Sequence, residues 1–249
     1  LSPFTNEKTP SFMVSPSKGI FKDFSSGKGG NVVGFLMEHE KLSYPEALRY
    51  LARKYNIPVE EKELTAEEIQ QKNERESLLA VTSFAQNFFT RQLETSEGKA
   101  VALSYLRKRG FRDDILERFQ IGYSPEERTA FTREARKNGY KDVFLVKTGL
   151  SIQRDNYLFD RFAGRIIFPI HSLSGNVIGF GGRTLKSDKS IAKYLNSPES
   201  DIYHKSKVLY GLFQARKKIV TDDRCFLVEG YTDVIAMHQA GIEHVVASS

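Results

Sequence analysis

Two carboxylates near the end of the chain stand at a spacing that suits metal chemistry. Glu229 follows an apolar run at 225–228, and Asp233 lies four residues further along, at the start of a predicted helix. A buried strand ending on Glu229 would place that carboxylate at the edge of a sheet where α/β proteins bind ligands. Two carboxylates facing one crevice repel each other, and a divalent cation relieves the repulsion. The alternative is structural: Thr232 or Asp233 caps the helix, and Glu229 is an ordinary strand-end residue.

A β-α-β unit is the element that would present these carboxylates. Its predicted parts are apolar strands at 225–229 and 245–247 and a helix at 232–240. Two earlier apolar strands, at 166–170 and 177–180, are predicted to be joined by a hairpin loop at 172–176. Gly181 and Gly182 directly follow the second strand. Glycines at that point let the backbone approach another group closely.

Cations interleaved with polar and aromatic residues follow the glycine pair. Lys193, Tyr194, Asn196 and Lys205 suit a groove that holds phosphates and stacks a base, although a solvated basic face is the simpler alternative. Arg109 directly follows a predicted helix at 100–108. Cations at the end of a helix either bind phosphate or complement the helix dipole. The formal net charge of +6 fits an anionic partner.

Composition narrows the class of protein. With 249 residues, 40% of them apolar, the chain can bury a core as one large domain or two modest ones. The single cysteine, Cys225, excludes an internal disulfide and a cysteine-rich zinc cluster, fits a reducing cytoplasmic compartment and is predicted to be buried. No apolar run approaches the roughly 18 residues that span a bilayer. The chain begins without Met and ends within a predicted strand, so we expect a fragment.

The order of elements predicts an α+β fold. We expect a small hairpin-plus-helices module at 1–57, a charged linker at 58–78, a mixed helical and β basic subdomain at 79–221, and the start of an α/β subdomain at 222–249. Ser43 and Glu46 make a capping box for the second helix of the module.

Several stretches, in this order, resemble bacterial replicative DNA primases of the DnaG type. They are 6–12 and 27–31 for the zinc-binding domain; 159–162, 165–170, 177–183, 193–199 and 204–205 for the RNA-polymerase domain; and 229–234 for the opening of the toprim fold, which topoisomerases share. The resemblance implies synthesis of short RNA primers from nucleoside triphosphates on single-stranded DNA during replication. Rival hypotheses are a topoisomerase or nuclease with a toprim fold, or a non-catalytic fragment that binds single-stranded DNA.

The resemblance implies a zinc-ribbon-like module at 1–57, but it fails at the zinc ligands. The family holds zinc with three Cys and one His, and the matching positions here are Ser2, Thr5, Asp23 and Ser26. Hydroxyls and one carboxylate are poor zinc ligands. We therefore expect no zinc in residues 1–57, and a module held by its apolar residues alone. The predicted core is Phe4, Phe12, Val14, Ile20, Phe21, Phe24, Val33, Phe35, Leu36 and Leu48.

The resemblance assigns roles to the carboxylates. Glu229 would be a metal ligand or general base, with Asp233 as a supporting carboxylate, for Mg²⁺ or Mn²⁺. Further carboxylates, including an Asp-x-Asp, are expected beyond Ser249, so we expect residues 1–249 to be inactive alone.

The resemblance also assigns the nucleic-acid contacts. Template or nucleotide would be bound by Arg109, Arg161, Arg183, Lys193, Tyr194, Asn196 and Lys205. The partners implied are single-stranded DNA, nucleoside triphosphates and a replicative helicase that binds a region outside this chain. A monomer in the cytoplasm is expected, with no membrane association.

Overall fold

The chain folds into two compact units with a mixed α+β architecture, as the sequence predicts. The computed structural model describes residues 1–40, 42–58, 65–186, 188 and 190–248, which divide into Leu1–Leu64 and Thr65–Ser249. None of the helices within these ranges is long and apolar enough to cross a membrane.

The first unit is a three-stranded antiparallel sheet followed by two helices. Its elements are β1 Phe12–Ser15, β2 Ile20–Asp23, β3 Gly29–Asn31, α1 Val32–His39 and α2 Tyr44–Lys54. The Oδ1 of Asn31 accepts the Gly34 N–H at 2.9 Å and so caps α1. The predicted capping box of Ser43 and Glu46 begins α2.

The predicted core of this unit is wrong at four positions. Residues of a strand alternate between the two faces of a sheet, and in β2 the inward face carries Phe21 and Asp23. Ile20 and Phe24 therefore point outward and are 45% and 65% exposed. Val14 and Leu48 are exposed as well. The parity of β2 thus buries an aspartate where the apolar pattern indicated a phenylalanine.

The second unit combines helices with three small sheets. Its helices are α3 Ala66–Leu93, α4 Ser96–Gly98, α5 Ser104–Lys108, α6 Asp113–Arg118, α7 Ala130–Lys137, α8 Asp142–Lys147, α9 Leu212–Asp222 and α10 Tyr231–Gln239. Its strands are β4 Gly122–Ser124, β5 Ser151–Arg154, β6 Tyr157–Asp160, β7 Arg165–His171, β8 Val177–Thr184, β9 Tyr194–Asn196, β10 Leu209–Tyr210, β11 Phe226–Val228 and β12 Val245–Ser248. A π-helical turn, Lys99–Leu103, joins α4 to α5.

The central sheet has the order β4-β7-β8-β9 and is antiparallel throughout. The predicted hairpin between β7 and β8 is present. A second sheet has the order β10-β12-β11, in which β11 and β12 are parallel and connected through α10. This arrangement confirms the predicted β-α-β unit. The third sheet is the β5-β6 hairpin.

Helix α3 begins inside the segment for which the sequence predicts a linker. Thr65 caps it through the Glu68 N–H, and its first three turns are mostly exposed. From Leu78 the helix is buried against the central sheet, and the Thr82 hydroxyl donates to the Val177 carbonyl at 2.6 Å. Residues 59–64 of the predicted linker lie outside the described residues.

One hydrophobic cluster extends from Leu78 to Ala247. It therefore crosses the predicted boundary between 221 and 222, and that boundary stays a prediction.

Two local predictions near the end of the chain are wrong. The strand before Glu229 is the exposed edge β11, where Leu227 is 69% exposed, instead of a buried strand. Cys225 is exposed for the same reason. Residues 209–210 pair with β12, and α9 begins directly afterwards at Leu212.

A buried histidine connects β7 with α9. The Nε2 of His171 lies 2.9 Å from Gln120 Oε1, and its Nδ1 accepts from Gln214 Nε2 at 3.4 Å. These partners suit the neutral imidazole, which donates at Nε2 and accepts at Nδ1. Burial lowers the pKa of His171 to about 4.

We predict that acid destabilises the second unit through His171. Below about pH 6.5 the unfolded chain binds a proton that the folded chain excludes, so the free energy of unfolding falls progressively until about pH 4. The lowering of the His171 pKa from 6.5 to about 4 corresponds to a loss of roughly 3 kcal/mol in the free energy of unfolding. Urea unfolding of His171→Gln should show a shallower loss of stability between these pH values. The control is His204→Gln, because His204 is an exposed histidine of the same unit. Equal pH slopes for His171→Gln and the unaltered chain would contradict the assignment.

Candidate nucleic-acid interface and carboxylate site

Both candidate carboxylates line one cavity of about 350 Å³ at the start of α10. The cavity is lined by Tyr194, Asn196, Glu229, Gly230, Tyr231, Thr232, Asp233 and Ser248. Glu229 follows β11 and Asp233 lies in the first turn of α10, and both line the cavity from its solvent side. The Gly230 N–H donates to Asp233 Oδ2 at 3.1 Å, which fixes the side chain of Asp233 across the helix terminus.

The structural alternative for Asp233 is therefore partly true, since its carboxylate caps α10. Capping through Oδ2 leaves the carboxylate in the cavity beside Glu229. Within the described ranges, no group of three or more His, Cys, Asp or Glu residues is placed to hold a metal ion. Glu229 and Asp233 are thus two oxygen donors at a cavity rather than a complete cage.

Tyr231 joins the carboxylate site to the central sheet. Its hydroxyl donates to Asn196 Oδ1 at 3.0 Å, and its ring lies 4.4 Å from that of Tyr210, centroid to centroid. A Cβ added at Gly181 would lie 2.3 Å from Tyr231 Cε2. The close approach predicted for the glycine pair is therefore the approach of Tyr231 to β8.

Gly182 makes a second close approach, to Phe162 on the other side of the strand. A Cβ there would lie 2.6 Å from Phe162 Cδ1. The pair therefore accommodates one aromatic ring on each face of β8, since successive residues of a strand face opposite sides.

Three of the predicted nucleic-acid residues meet in an alternating cation–aromatic stack. The guanidinium carbon of Arg183 lies 4.8 Å from the ring centre of Tyr105 and 5.6 Å from that of Tyr194. Arg109 Nη1 donates to the Tyr105 hydroxyl at 3.4 Å. Tyr194 pairs directly with Arg183 across β8 and β9. Sequence reasoning missed Tyr105, and its position four residues before Arg109 on a helix was the available signal.

Arg183 is only 7% exposed, and its Nε lacks a hydrogen-bond partner among the described residues. It lies on a cavity of about 490 Å³ that Tyr105, Lys186 and Lys193 also line. Lys193 is exposed on this cavity, while its backbone carbonyl accepts from Thr184 N at 3.0 Å. The buried guanidinium orients two tyrosine rings, and the exposed lysine remains accessible to solvent.

Arg161 supports the main chain of the site. Its Nε donates to the Asn196 carbonyl at 3.2 Å, and Arg165 Nη1 donates to the Ala192 carbonyl at 3.0 Å. Burial lowers the pKa of both guanidinium groups. With Arg128 and Arg154 they line a further cavity of about 430 Å³. Arg128, Arg154 and Arg165 were not among the predicted site residues, because their separation in sequence hides the convergence.

Lys205 lies apart from these groups. It begins a 3-10 turn, Lys205–Lys207, where its backbone N–H donates to Glu199 Oε1 at 2.9 Å. None of the three cavities above includes Lys205. The described structure thus connects the other predicted nucleic-acid residues through shared contacts and cavities, and leaves this one outside.

Two family models match the chain. The DNA primase catalytic core, N-terminal domain, matches residues 88–216, and the CHC2 zinc finger matches residues 1–67. The first match alone covers more than half of the chain, and it contains all of the predicted nucleic-acid residues.

Curated relatives and solved structures agree with these matches. A DNA primase of Synechococcus elongatus is 42% identical and aligns with 100% of this chain, which covers 36% of that relative. The Aquifex aeolicus primase structure, of the zinc-binding and RNA polymerase domains, is 32% identical with a TM-score of 0.64, and covers 99% of this chain and 58% of its own. A DnaG primase catalytic domain bound to ssDNA is 37% identical with a TM-score of 0.67, over 72% of this chain and 55% of its own. The chain spans about two fifths of the length of the curated relatives it matches.

We predict that Gly181→Ala displaces Tyr231 and destabilises the second unit by about 1–3 kcal/mol, the usual cost of overpacking. The new methyl group overlaps the Tyr231 ring, so the ring moves away from Asn196. Denaturant unfolding measures the loss. Gly34→Ala is the matched control, because the nearest atom to its new Cβ is an ordinary 3.6 Å away.

A double-mutant cycle identifies the cause. Gly181→Ala combined with Tyr231→Ala should cost less than the sum of the two single substitutions, since removing the ring removes the overlap. Additive costs would show that Gly181 does not act through Tyr231.

Proposed function

We propose, because the chain belongs to the bacterial DNA primase family, that it serves in an enzyme that synthesises short RNA primers on single-stranded DNA. The observation that carries this proposal is that Tyr194 and Asn196 line the carboxylate cavity while Tyr194 also ends the cation–aromatic stack. A surface suited to single-stranded nucleic acid therefore continues directly into a site suited to phosphate chemistry. The comparisons do not favour a topoisomerase or a nuclease.

The stack and Lys193 would hold the template or the nucleotide. Tyr194 is 41% exposed, so its outer face is available to stack on a base, while Arg183 holds the inner face. Lys193 and Arg109 are exposed and would bind phosphates. In this arrangement Arg183 is a positioning residue, because its guanidinium is buried between two rings.

The carboxylates fit a magnesium or manganese ion. Mg²⁺ prefers oxygen ligands and is usually bound by one or two carboxylates together with substrate phosphates and water. Glu229 and Asp233 supply such a pair, and the Gly230 N–H holds Asp233 in place. When bound, the cation would neutralise charge that develops on the nucleotide phosphates. Asn196, fixed by Tyr231, would orient the nucleotide beside the carboxylates.

The amino-terminal residues do not fit zinc. The four positions that correspond to the zinc ligands offer three hydroxyls and one carboxylate, whereas structural zinc sites use Cys and His. We propose that this zinc-finger-like unit holds no zinc.

The remaining assignments rest on family membership. They are the use of nucleoside triphosphates, cooperation with a replicative helicase, a monomeric state and a cytoplasmic location. We propose each of them for the whole protein.

We predict that Lys193→Ala weakens binding of single-stranded DNA and lowers its salt dependence. Loss of one phosphate contact should reduce the slope of log affinity against log salt by about 0.7. Lys205→Ala should have a smaller effect, because Lys205 lies outside the cavities that hold the other candidates. Fluorescence anisotropy over a salt series measures both.

Lys137→Ala serves as the control, because Lys137 is exposed at the end of α7. The basic-groove assignment is wrong if neither Lys193→Ala nor Lys205→Ala changes the affinity for DNA.

We predict that Glu229→Gln and Asp233→Asn each reduce primer synthesis at least about a hundredfold, since each removes a charge that would hold the cation. The amide introduced by Asp233→Asn keeps an oxygen that can accept the Gly230 N–H, so that substitution separates charge from capping. The measurement is incorporation of nucleoside triphosphates on a single-stranded template by the protein expressed from its whole reading frame.

Glu117→Gln, on the exposed side of α6, is the control for these two variants. Normal synthesis by both Glu229→Gln and Asp233→Asn would refute the carboxylate assignment, whereas unchanged binding of single-stranded DNA is expected.

A further inference from the structure

The four positions that correspond to zinc ligands meet around one buried carboxylate. Asp23 is fully buried, although the residues on either side of it are exposed. The Ser2 hydroxyl donates to Asp23 Oδ2 at 2.8 Å, and the Ser26 hydroxyl donates to the same oxygen. Thr5 joins the group through Ser25, whose hydroxyl lies 2.5 Å from Thr5 Oγ1 and donates to Asp23 Oδ1 at 3.0 Å.

Two further residues complete this Asp23 cluster, and sequence reasoning identified neither. The Ser11 hydroxyl lies 3.0 Å from Asp23 Oδ1 and also contacts Glu7 Oε2, so its one proton is shared between two carboxylates. This contact ties the residue before β1 to the end of β2. Glu7 accepts from the backbone N–H of Ser2 at 2.6 Å and of Ser11 at 2.9 Å. Residues distant in sequence are therefore bound to the same carboxylate, as ligands distant in sequence are bound to one metal ion.

Hydroxyl groups keep this carboxylate ionised. Burial alone would raise the pKa of Asp23, but the hydrogen bonds from Ser26, Ser2, Ser25 and Ser11 outweigh burial and hold the pKa well below its ordinary value. Four serine hydroxyls thus surround the Asp23 carboxylate and take the place of the water that would solvate it outside the protein.

We infer that the hydrogen-bonded cluster centred on Asp23 takes the structural place that zinc has in the CHC2 zinc finger, so that residues 1–40 fold without a metal ion. The cluster connects the same loop positions that the metal would connect: the segment before β1 and the turn after β2. The inference deepens the proposal that this unit holds no zinc, and it is independent of primer synthesis.

The test uses amide hydrogen exchange of the intact 249-residue chain, followed by mass spectrometry of peptides from β1 to β3. In these peptides the Phe24 N–H is bonded to the Ser11 carbonyl and the Asp23 N–H to the Lys28 carbonyl. We expect the purified protein to contain no zinc, and excess chelator to leave exchange unchanged. Asp23→Asn should accelerate exchange about tenfold or more in these peptides, while peptides of β7 and β8 remain protected.

Two serine variants test how far the acceleration of exchange depends on single hydrogen bonds to Asp23. Ser26→Ala should accelerate exchange less than Asp23→Asn, because one donor is lost and the acceptor remains. Ser17→Ala should have no effect, since Ser17 is exposed between β1 and β2 and does not contact Asp23 in the described structure.

Unchanged exchange in Asp23→Asn would overturn the inference. One equivalent of zinc whose removal accelerates exchange would overturn it as well. Zinc in the purified protein would also reject the proposal that the unit holds none, whereas unchanged exchange without zinc would reject only the role of the cluster.

A gain-of-function variant tests the equivalence of position. The fourfold variant Ser2→Cys, Thr5→His, Asp23→Cys, Ser26→Cys restores the ligand types of the CHC2 name. We expect it to bind one zinc ion, with chelator then accelerating exchange in β1 to β3. Failure to bind zinc would show that the four positions do not enclose a common centre and would reject the replacement.

Discussion

The contact between Tyr231 and the bare backbone of Gly181 determines the geometry of the candidate site. Glu229 directly follows the edge strand β11, and Asp233 lies in the first turn of α10. Tyr231, one residue past the turn, is buried against β8 and hydrogen-bonded to Asn196. One aromatic side chain therefore fixes the distance between the carboxylates and the strands that carry the candidate nucleic-acid residues.

Because of this constraint, a few residues both pack the second unit and position the candidate site. Asn196 uses its side chain to accept from Tyr231 and its carbonyl to accept from Arg161. Asn196 therefore connects Tyr231 with Arg161. The cation–aromatic stack adds a second fixed point, because Arg183 lies directly across from Tyr194 in the sheet. Rigid support of this kind is what precise placement of reacting groups requires.

Features set by local sequence could be predicted, whereas those set by long-range packing could not. The β7–β8 hairpin and the β-α-β unit follow from short apolar runs and turn residues, and the structure contains both. The helical spacing of Tyr105 and Arg109 could indicate that these two residues are neighbours, but the stack depends on the contact of Tyr105 with Arg183, which lies far along the chain. The error at Phe24 has another cause. Apolarity suggested burial, but the parity of β2 was set by Phe21, which left the inward position at 23 to an aspartate.

The inward aspartate changes how the small unit must be stabilised. A structural zinc ion contributes on the order of 10–16 kcal/mol in zinc-finger peptides, far more than individual hydrogen bonds contribute. The aromatic rings of Phe4, Phe12, Phe21 and Phe35 form mutual contacts with centroid separations of 5.3–6.2 Å. Such pairs stabilise by about 0.5–1.5 kcal/mol each beyond their burial. The cluster around Asp23 then determines which loops meet, and the packed rings contribute most of the stabilisation. In a zinc finger one metal ion has both of these roles.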